Sequence, residues 1–256
     1  MNKVLHGDCL ELMKDIPDKS IDMTLTSPPY DNLRDYNGYS FDFEGVVKEL
    51  YRVTKEGGVV VWVVGDATIK GSETGTSFKQ ALFFKEIGFN LHDTMIYETE
   101  KPPLTHKRYE QKFEYMFIFS KGKPKTFNPI LIPKKYMDNR LVKAFTRNKT
   151  NEHSLGFSSD KTEVIKGNIW KFGSGLNKDT KERIKFQHPA VFPDKLAEDH
   201  ILSWSNEGDI VLDPMAGSGT TLKMAKKNNR NYIGIEISQE YIDIINKRLQ
   251  DHENTL

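Results

Sequence analysis

Cysteine is almost missing from this chain: Cys9 is the only one in 256 residues. No disulfide can close within the chain, which fits a reducing compartment, and CxxC metal sites are excluded as well. The seven histidines show no HExxH or similar spacing, so no metal site is expected. Long apolar runs are lacking too. The longest, Val59 to Val64, falls far short of a bilayer span. Met1-Asn2-Lys3-Val4-Leu5 has no signal-peptide core. These absences lead us to expect a soluble, cytoplasmic protein with no membrane partner. An excess of charge of one sign is also lacking, with 37 Lys and Arg against 36 Asp and Glu. The distribution is less even than the total. Between Lys101 and Lys185 there are 20 basic and 8 acidic residues, leaving 17 basic and 28 acidic elsewhere. A neutral chain with one basic segment suits a polyanionic partner such as nucleic acid, engaged through that segment. The plainer alternative is an ordinary solvated surface.

What is present reads as α/β. Short apolar runs alternate with helical patterns, which indicates a mostly parallel sheet. Strands are expected at 3–6, 21–26, 59–64, 90–97, 113–120, 210–212 and 232–237. Helices are expected at 9–16, 43–53, 77–87, 193–203, 218–227 and 239–249, with Gly57-Gly58 breaking the second. Residues 121–167 are rich in Lys, Asn, Thr and Pro and weak in periodicity. They read as a segment inserted between a first part, 1–120, and a last part, 168–256, of one domain.

Two motifs end apolar runs. The later one is Asp213-Pro214-Met215-Ala216-Gly217-Ser218-Gly219-Thr220-Thr221. Strand, glycine turn and helix together leave free backbone N–H groups at the end of a parallel sheet. Gly217 and Gly219 permit close approach and positive φ. Glu236, at the end of the next strand, suits ribose hydroxyls. A P-loop needs Gly-Lys-Ser/Thr, and Gly219 is followed by Thr220-Thr221. A nicotinamide or flavin turn prefers a third glycine where Leu222 stands. S-adenosylmethionine has no phosphate but carries a sulfonium and an ammonium, for which Asp213 is a suitable carboxylate. A purely structural βα turn is the bland alternative.

The earlier motif is Thr26-Ser27-Pro28-Pro29-Tyr30. Exocyclic amines of bases are poor nucleophiles because the lone pair is delocalised into the ring. A site that activates one must hold its N–H groups with rigid acceptors. Ser27 and Pro28 each precede a proline and are pushed to extended backbone, and Pro28 and Pro29 have fixed φ and no N–H. The loop therefore presents carbonyl and hydroxyl oxygens in a stiff frame. Ser27 and the Pro28 carbonyl are the candidates to hold an amine, and Tyr30 to stack on an extruded base. A proline turn with Tyr30 as core packing is the alternative. Cytosine C5 chemistry needs a cysteine nucleophile, and Cys9 lies well before the loop.

In that order the two motifs resemble the beta class of DNA amino-methyltransferases. The likeness extends to Gly7-Asp8-Cys9-Leu10, to 114–121, to Gly167-Asn168-Ile169-Trp170, to 188–193, and to Arg230 through Glu236 with Tyr241 and Arg248. It implies a circularly permuted Rossmann-like fold that uses S-adenosylmethionine and methylates N4 of cytosine or N6 of adenine in duplex DNA. It also implies cofactor contacts from Asp213, Gly217, Ser218, Gly219 and Glu236, with Asp8 and Cys9 flanking the adenine ring. His188, Pro189 and Phe192 would close over the cofactor. For Asp8 a helix cap, and for His188 a structural hydrogen bond, are the plainer roles. Met215 departs from the family's frequent Phe, a tolerable exchange.

Ser27 at the loop head resembles N4-cytosine members, with N6-adenine the alternative. The inserted segment is the expected target-recognition region. Lys134, Lys135, Lys143 and Lys149 suit phosphates, and Arg140, Arg147 and Asn148 suit base edges. A catalytically silent DNA-binding module and an RNA or protein amino-methyltransferase are the competing functions. The resemblance admits a homodimer and a cognate restriction endonuclease, and no residue pattern decides either.

Overall fold

The computed structural model describes residues 2–29, 41–99, 109–134, 144–147, 153–156, 162–173 and 192–251, with only the backbone described at 144–147, 153–156 and 251. In chain order the elements are β1 (Lys3–His6), α1 (Cys9–Met13), β2 (Ile21–Thr26), α2 (Phe43–Val53), β3 (Thr54–Val64), β4 (Thr68–Ile69), β5 (Ser72–Glu73), α3 (Thr76–Ile87), β6 (Asn90–Glu98) and β7 (Phe113–Ser120). They continue with β8 (Leu131–Pro133), β9 (Ala144–Arg147), β10 (His153–Gly156), β11 (Glu163–Ile165), β12 (Ile169–Lys171), α4 (Asp194–Trp204), β13 (Ile210–Asp213), α5 (Thr220–Lys227), β14 (Asn231–Glu236) and α6 (Gln239–Asp251).

Among the described residues eight strands form one sheet, in the order β1-β14-β13-β2-β3-β7-β6-β12. Only the pairs made by β7 are antiparallel. The last two strands of the chain, β13 and β14, sit between the first two, β1 and β2. This is the permuted order expected of the resemblance. The parallel strands β1, β14, β13, β2 and β3 all end at one edge of the sheet, where ligands bind in open α/β sheets.

Continuous β-branched runs make the central strands, because a strand covered on both faces can be apolar at every position. Val59 to Val64 are all buried. Val60, Trp62 and Val64 join Val46, Val47 and Leu50 of α2 and Ala81 and Phe84 of α3 in one core cluster. Phe84 stacks on Phe119 of β7 at 4.1 Å, and the buried Trp62 donates its Nε1 proton to Gln80 Oε1 at 2.8 Å. Each fully buried side chain of this size contributes about 1.5–3 kcal/mol. Helices α4, α5 and α6 pack in turn and contact β2, β13, β14 and β1, which gives a layer of helices beside the sheet apart from α1–α3.

Two local expectations are corrected. Gly57-Gly58 does not break a helix. The helix has already ended at Val53, and the glycines lie inside β3, in an irregularity where Ile21 pairs with Thr54 but Met23 pairs with Val59. Gly57 has φ +78°, and a Cβ on Gly58 would come within 2.9 Å of the Lys55 carbonyl oxygen, so both positions require glycine. The helix expected at 9–16 ends at Met13, and Ile16 is buried beyond it in a turn.

Contacts divide the chain into a large unit, Met1–Asn128 with Asn168–Leu256, and a small one, Pro129–Gly167. Lys121 belongs to the large unit. Its buried ammonium bonds to the carbonyls of Tyr51 and Thr54 and lies 4.3 Å from the Tyr51 ring centroid. Within the small unit β8 pairs with β11 and β9 with β10, both antiparallel. Strands of three or four residues are too short to register as a sequence period.

Candidate active site

The two motifs meet. Strands β2 and β13 are parallel neighbours, with Met23 opposite Val211 and Thr24 opposite Leu212. Thr26, the last residue of β2, donates its hydroxyl proton to Asp213 Oδ1 at 2.8 Å. Ser27, Pro28 and Pro29 therefore leave the sheet beside the residue that opens the glycine motif. Pro28 is buried, and Ser27 and Pro29 are half-buried. Tyr30 lies outside the described residues.

The glycine turn is tied from several directions. Gly217 has φ +50° and Gly219 has φ +77°, both in the left-handed region. Ala216 N–H bonds to the Ile235 carbonyl, and Gly219 N–H to the Ala216 carbonyl. Gly217 N–H donates to Glu236 Oε2 at 2.8 Å, and Ser238 N–H to Glu236 Oε1 at 3.0 Å. Glu236 thus links the turn to its own strand end, and with three backbone donors on its two oxygens it keeps acceptor capacity for one more hydroxyl. From behind, the buried Arg248 of α6 gives Nη1 to the Ser218 carbonyl at 2.5 Å, with Ser218 Oγ at 3.3 Å and Thr220 Oγ1 at 3.2 Å. Its Nη2 pairs with Asp194 at 3.3 Å.

Burial pushes the Asp213 carboxyl from 3.8 up to about 6, against the lowering effect of bonds from Thr26, Thr221 and Met215 N–H. Burial also raises Glu236, against bonds from the Ser238, Gly217 and Ile237 backbone. Among the described residues neither carboxylate has a Lys or Arg ion-pair partner. Two buried carboxylates without a cation suit a ligand that brings its own positive charge and hydroxyl donors. They would repel a pyrophosphate. S-adenosylmethionine, with its cationic end and ribose hydroxyls, fits this donor and charge set, which Asp213 and Glu236 could hold.

Strand β1 brings the N-terminal turn alongside. His6 pairs with Glu236, and Gly7 N–H bonds to the Glu236 carbonyl at 3.0 Å. Asp8 caps α1, its Oδ1 accepting from Leu10 N–H at 2.9 Å and Glu11 N–H at 3.2 Å. Burial, then the adjacent Asp8 charge, push the Cys9 thiol up to about 12, so it is a neutral, half-buried thiol rather than an activated nucleophile. Phe192 is half-buried just before α4. His188 and Pro189 lie outside the described residues, as do Lys135, Arg140, Lys143, Asn148 and Lys149. Lys134 follows β8, its N–H bonding to the Thr162 carbonyl, and Arg147 ends β9 opposite His153.

Sequence reasoning missed Thr26 and Thr221 as members of the Asp213 cluster, and Arg248 as the brace of the turn. No group of His, Cys, Asp and Glu suited to a metal occurs among the described residues, and no described helix is long and apolar enough to cross a membrane.

A family model described as DNA methylase, of the N6/N4 type, matches residues 21–247. The orphan methyltransferase M.BamHII of Bacillus amyloliquefaciens is 60% identical over 246 residues, covering 94% of this chain and 93% of its own. Among solved structures, the PvuII DNA methyltransferase, described as cytosine-N4-specific, matches the fold with a TM-score of 0.70 at 22% identity, over 96% of this chain and 86% of that one. A complex of M1.HpyAVI with S-adenosylmethionine matches with a TM-score of 0.64 at 27% identity, over 97% and 99%.

Proposed function

The chain belongs to the N6/N4 DNA methylase family, whose members are S-adenosylmethionine-dependent amino-methyltransferases, and from that membership we propose that it methylates N4 of cytosine in duplex DNA. The observation that supports this most is the bond between Thr26 and Asp213, which joins the root of the amine-holding loop to the carboxylate of the cofactor turn. When bound, the cofactor supplies an electrophilic methyl group on a sulfonium. The chain's own residues do the rest. Asp213 and Glu236 orient the cofactor. The Ser27 side chain and the Pro28 carbonyl accept the two N–H bonds of the target amine and draw its lone pair out of conjugation. Tyr30 stacks on the base once it has left the duplex.

Ser27 at the loop head supports cytosine over adenine. The family covers both bases, so N6-adenine is the second reading. Residues 129–167 supply target recognition, with Lys134, Lys135, Lys143 and Lys149 on phosphates and Arg140, Arg147 and Asn148 on base edges. The test is transfer of a labelled methyl group from S-adenosylmethionine to mixed-sequence duplex DNA, followed by digestion to nucleosides. N4-methylcytosine is the expected product. N6-methyladenine would select the second reading. No methylated base above a folded Ser27→Ala control would reject both, and transfer to RNA or protein instead would move the enzyme to another substrate class.

A further inference from the structure

We propose that Thr26 is a positioning residue for the cofactor site, its hydroxyl holding the Asp213 carboxylate ready for the cationic end of S-adenosylmethionine. This rests on the proposed reading of Asp213 as a cofactor contact.

Three donors converge on Asp213: the hydroxyls of Thr26 and Thr221 and the backbone N–H of Met215. They are not equivalent. The Met215 N–H comes from two residues along the chain at 3.2 Å and is fixed by the turn. The Thr221 hydroxyl has one proton and also lies 3.2 Å from the Leu25 carbonyl oxygen, so its donation is divided between two acceptors. Thr26 gives its proton to Asp213 at 2.8 Å, from a fully buried position 187 residues away in sequence. It is shorter than the bond from the Met215 N–H to the same oxygen. A bond of this kind favours the ionised form and fixes its rotamer.

The surroundings offer Asp213 little other support. Glu236 on β14 is a like charge that disfavours ionisation. His6 of β1 acts on Glu236. On the helices, Arg248 of α6 is engaged with Ser218, Thr220 and Asp194, and Lys223 of α5 lies 3.8 Å from Asp194 of α4. Lys195 pairs with Glu198 and Asp199 within α4. Asp213 is thus kept ionised chiefly by hydrogen bonds.

Strand β2 also provides a matched control. Thr24 is as buried as Thr26, and its Oγ1 has no hydrogen-bond partner among the described residues. Removing that hydroxyl changes the same atom in the same strand without touching Asp213.

The experiment is calorimetric titration of S-adenosylmethionine, without DNA, into wild type, Thr26→Val, Thr26→Ser and Thr24→Val between pH 5.5 and 8.5, with folding checked by thermal melting. Wild type should bind at neutral pH and weaken as pH falls through about 6. Thr26→Val should bind roughly tenfold more weakly at pH 7.5, with the onset of weakening moved to higher pH. Thr26→Ser should restore both, and Thr24→Val should match wild type. In turnover, Thr26→Val should raise the KM for the cofactor and leave kcat at saturation nearly unchanged. If Thr26→Val does not fold, Thr26→Ala carries the same expectation. A hydroxyl-free variant whose affinity and pH profile superimpose on wild type overturns the role of Thr26. Wild type that binds no S-adenosylmethionine at any pH overturns the cofactor site itself.

Discussion

The two bends that form the candidate site are stiffened by different means. The glycine turn at 217–219 has little intrinsic stiffness, and other parts of the chain hold it: Glu236 and Ile235 from β14, and Arg248 from α6. The proline bend at 28–29 carries its stiffness in its own covalent rings. One bend is ordered by tertiary hydrogen bonds, the other by the local chain. The first should therefore be sensitive to substitutions far away in sequence. The second should be sensitive chiefly to its own residues, and through catalysis more than through stability.

The largest expected effect comes from removing the brace. Arg248→Ala strands the Ser218 carbonyl and removes the 3.3 Å ion pair with Asp194. Breaking a buried charged network in this way costs about 3–5 kcal/mol. Urea denaturation should show that loss, and calorimetry should show loss of S-adenosylmethionine binding. A variant with unchanged stability would mean that the turn stands unaided.

Asp213→Asn has the opposite sign in stability. The folded carboxyl titrates above its ordinary value, at about 6 against 3.8, so the fold favours the neutral form. The resulting stabilisation is complete below the ordinary value and is lost as pH rises through about 6. The interval corresponds to roughly 3 kcal/mol by linkage. Asparagine is neutral at every pH. At pH 8 the variant should be more stable than wild type by up to about that amount, and near pH 4 the difference should close. Cofactor binding should fall at the same time, because the cation loses its counter-charge. Denaturation curves at the two pH values check the first part. An equal difference at both would show that burial of Asp213 carries no such cost.

Gly219→Ala tests the turn from inside. At φ +77° a side chain is strained, and a Cβ there would lie 2.9 Å from Cγ1 of Ile245 on α6. The left-handed backbone alone costs about 1–2 kcal/mol, and thermal unfolding should register at least that loss. A melting temperature equal to wild type would show that the turn adapts freely.

The residues legible in the sequence are those whose role is set by a strand end and a short neighbouring motif. Asp213, Glu236 and the glycines stand out as candidates because strand, turn and helix follow one another without a gap. Asp8, expected beside the adenine ring with a helix cap as the plainer role, does cap the helix that begins at the next residue. Thr26 and Arg248 were not readable as members of the site. Their partners lie 187 and about 30 residues away, and only the register of β2 against β13 and the packing of α6 bring them in. Gly57-Gly58 misled for a related reason. A glycine pair marks a helix stop or a strand irregularity with equal force, and the choice depends on how β3 pairs with β2. The strands of the small unit escaped because pairs such as Val164 with Ile132 are fixed by partner strands, in segments too short for a period.

The smallest effect on stability, and the sharpest test of the contrast, is Pro28→Ala. Proline lowers the entropy of the unfolded chain, so its loss at a compatible site costs about 0.4–1 kcal/mol. Its nitrogen carries no N–H, so the substitution removes no donated hydrogen bond, and the carbonyl is kept. What changes is the freedom of the loop. Ser27 no longer precedes a proline at its own C-terminal side, so its backbone regains access to the helical region. The Pro28 carbonyl, which is proposed to accept an amine N–H, then samples more directions before each turnover. Methyl transfer should slow roughly tenfold at saturating cofactor and DNA, the scale expected when a reacting group is less well oriented. Affinity for S-adenosylmethionine should stay as in wild type, because the glycine turn and its tethers are untouched. Single-turnover rates set beside calorimetry separate the two quantities. If cofactor affinity and rate fell together, the proline bend would be ordered through the glycine turn, and the two bends would be one mechanical unit.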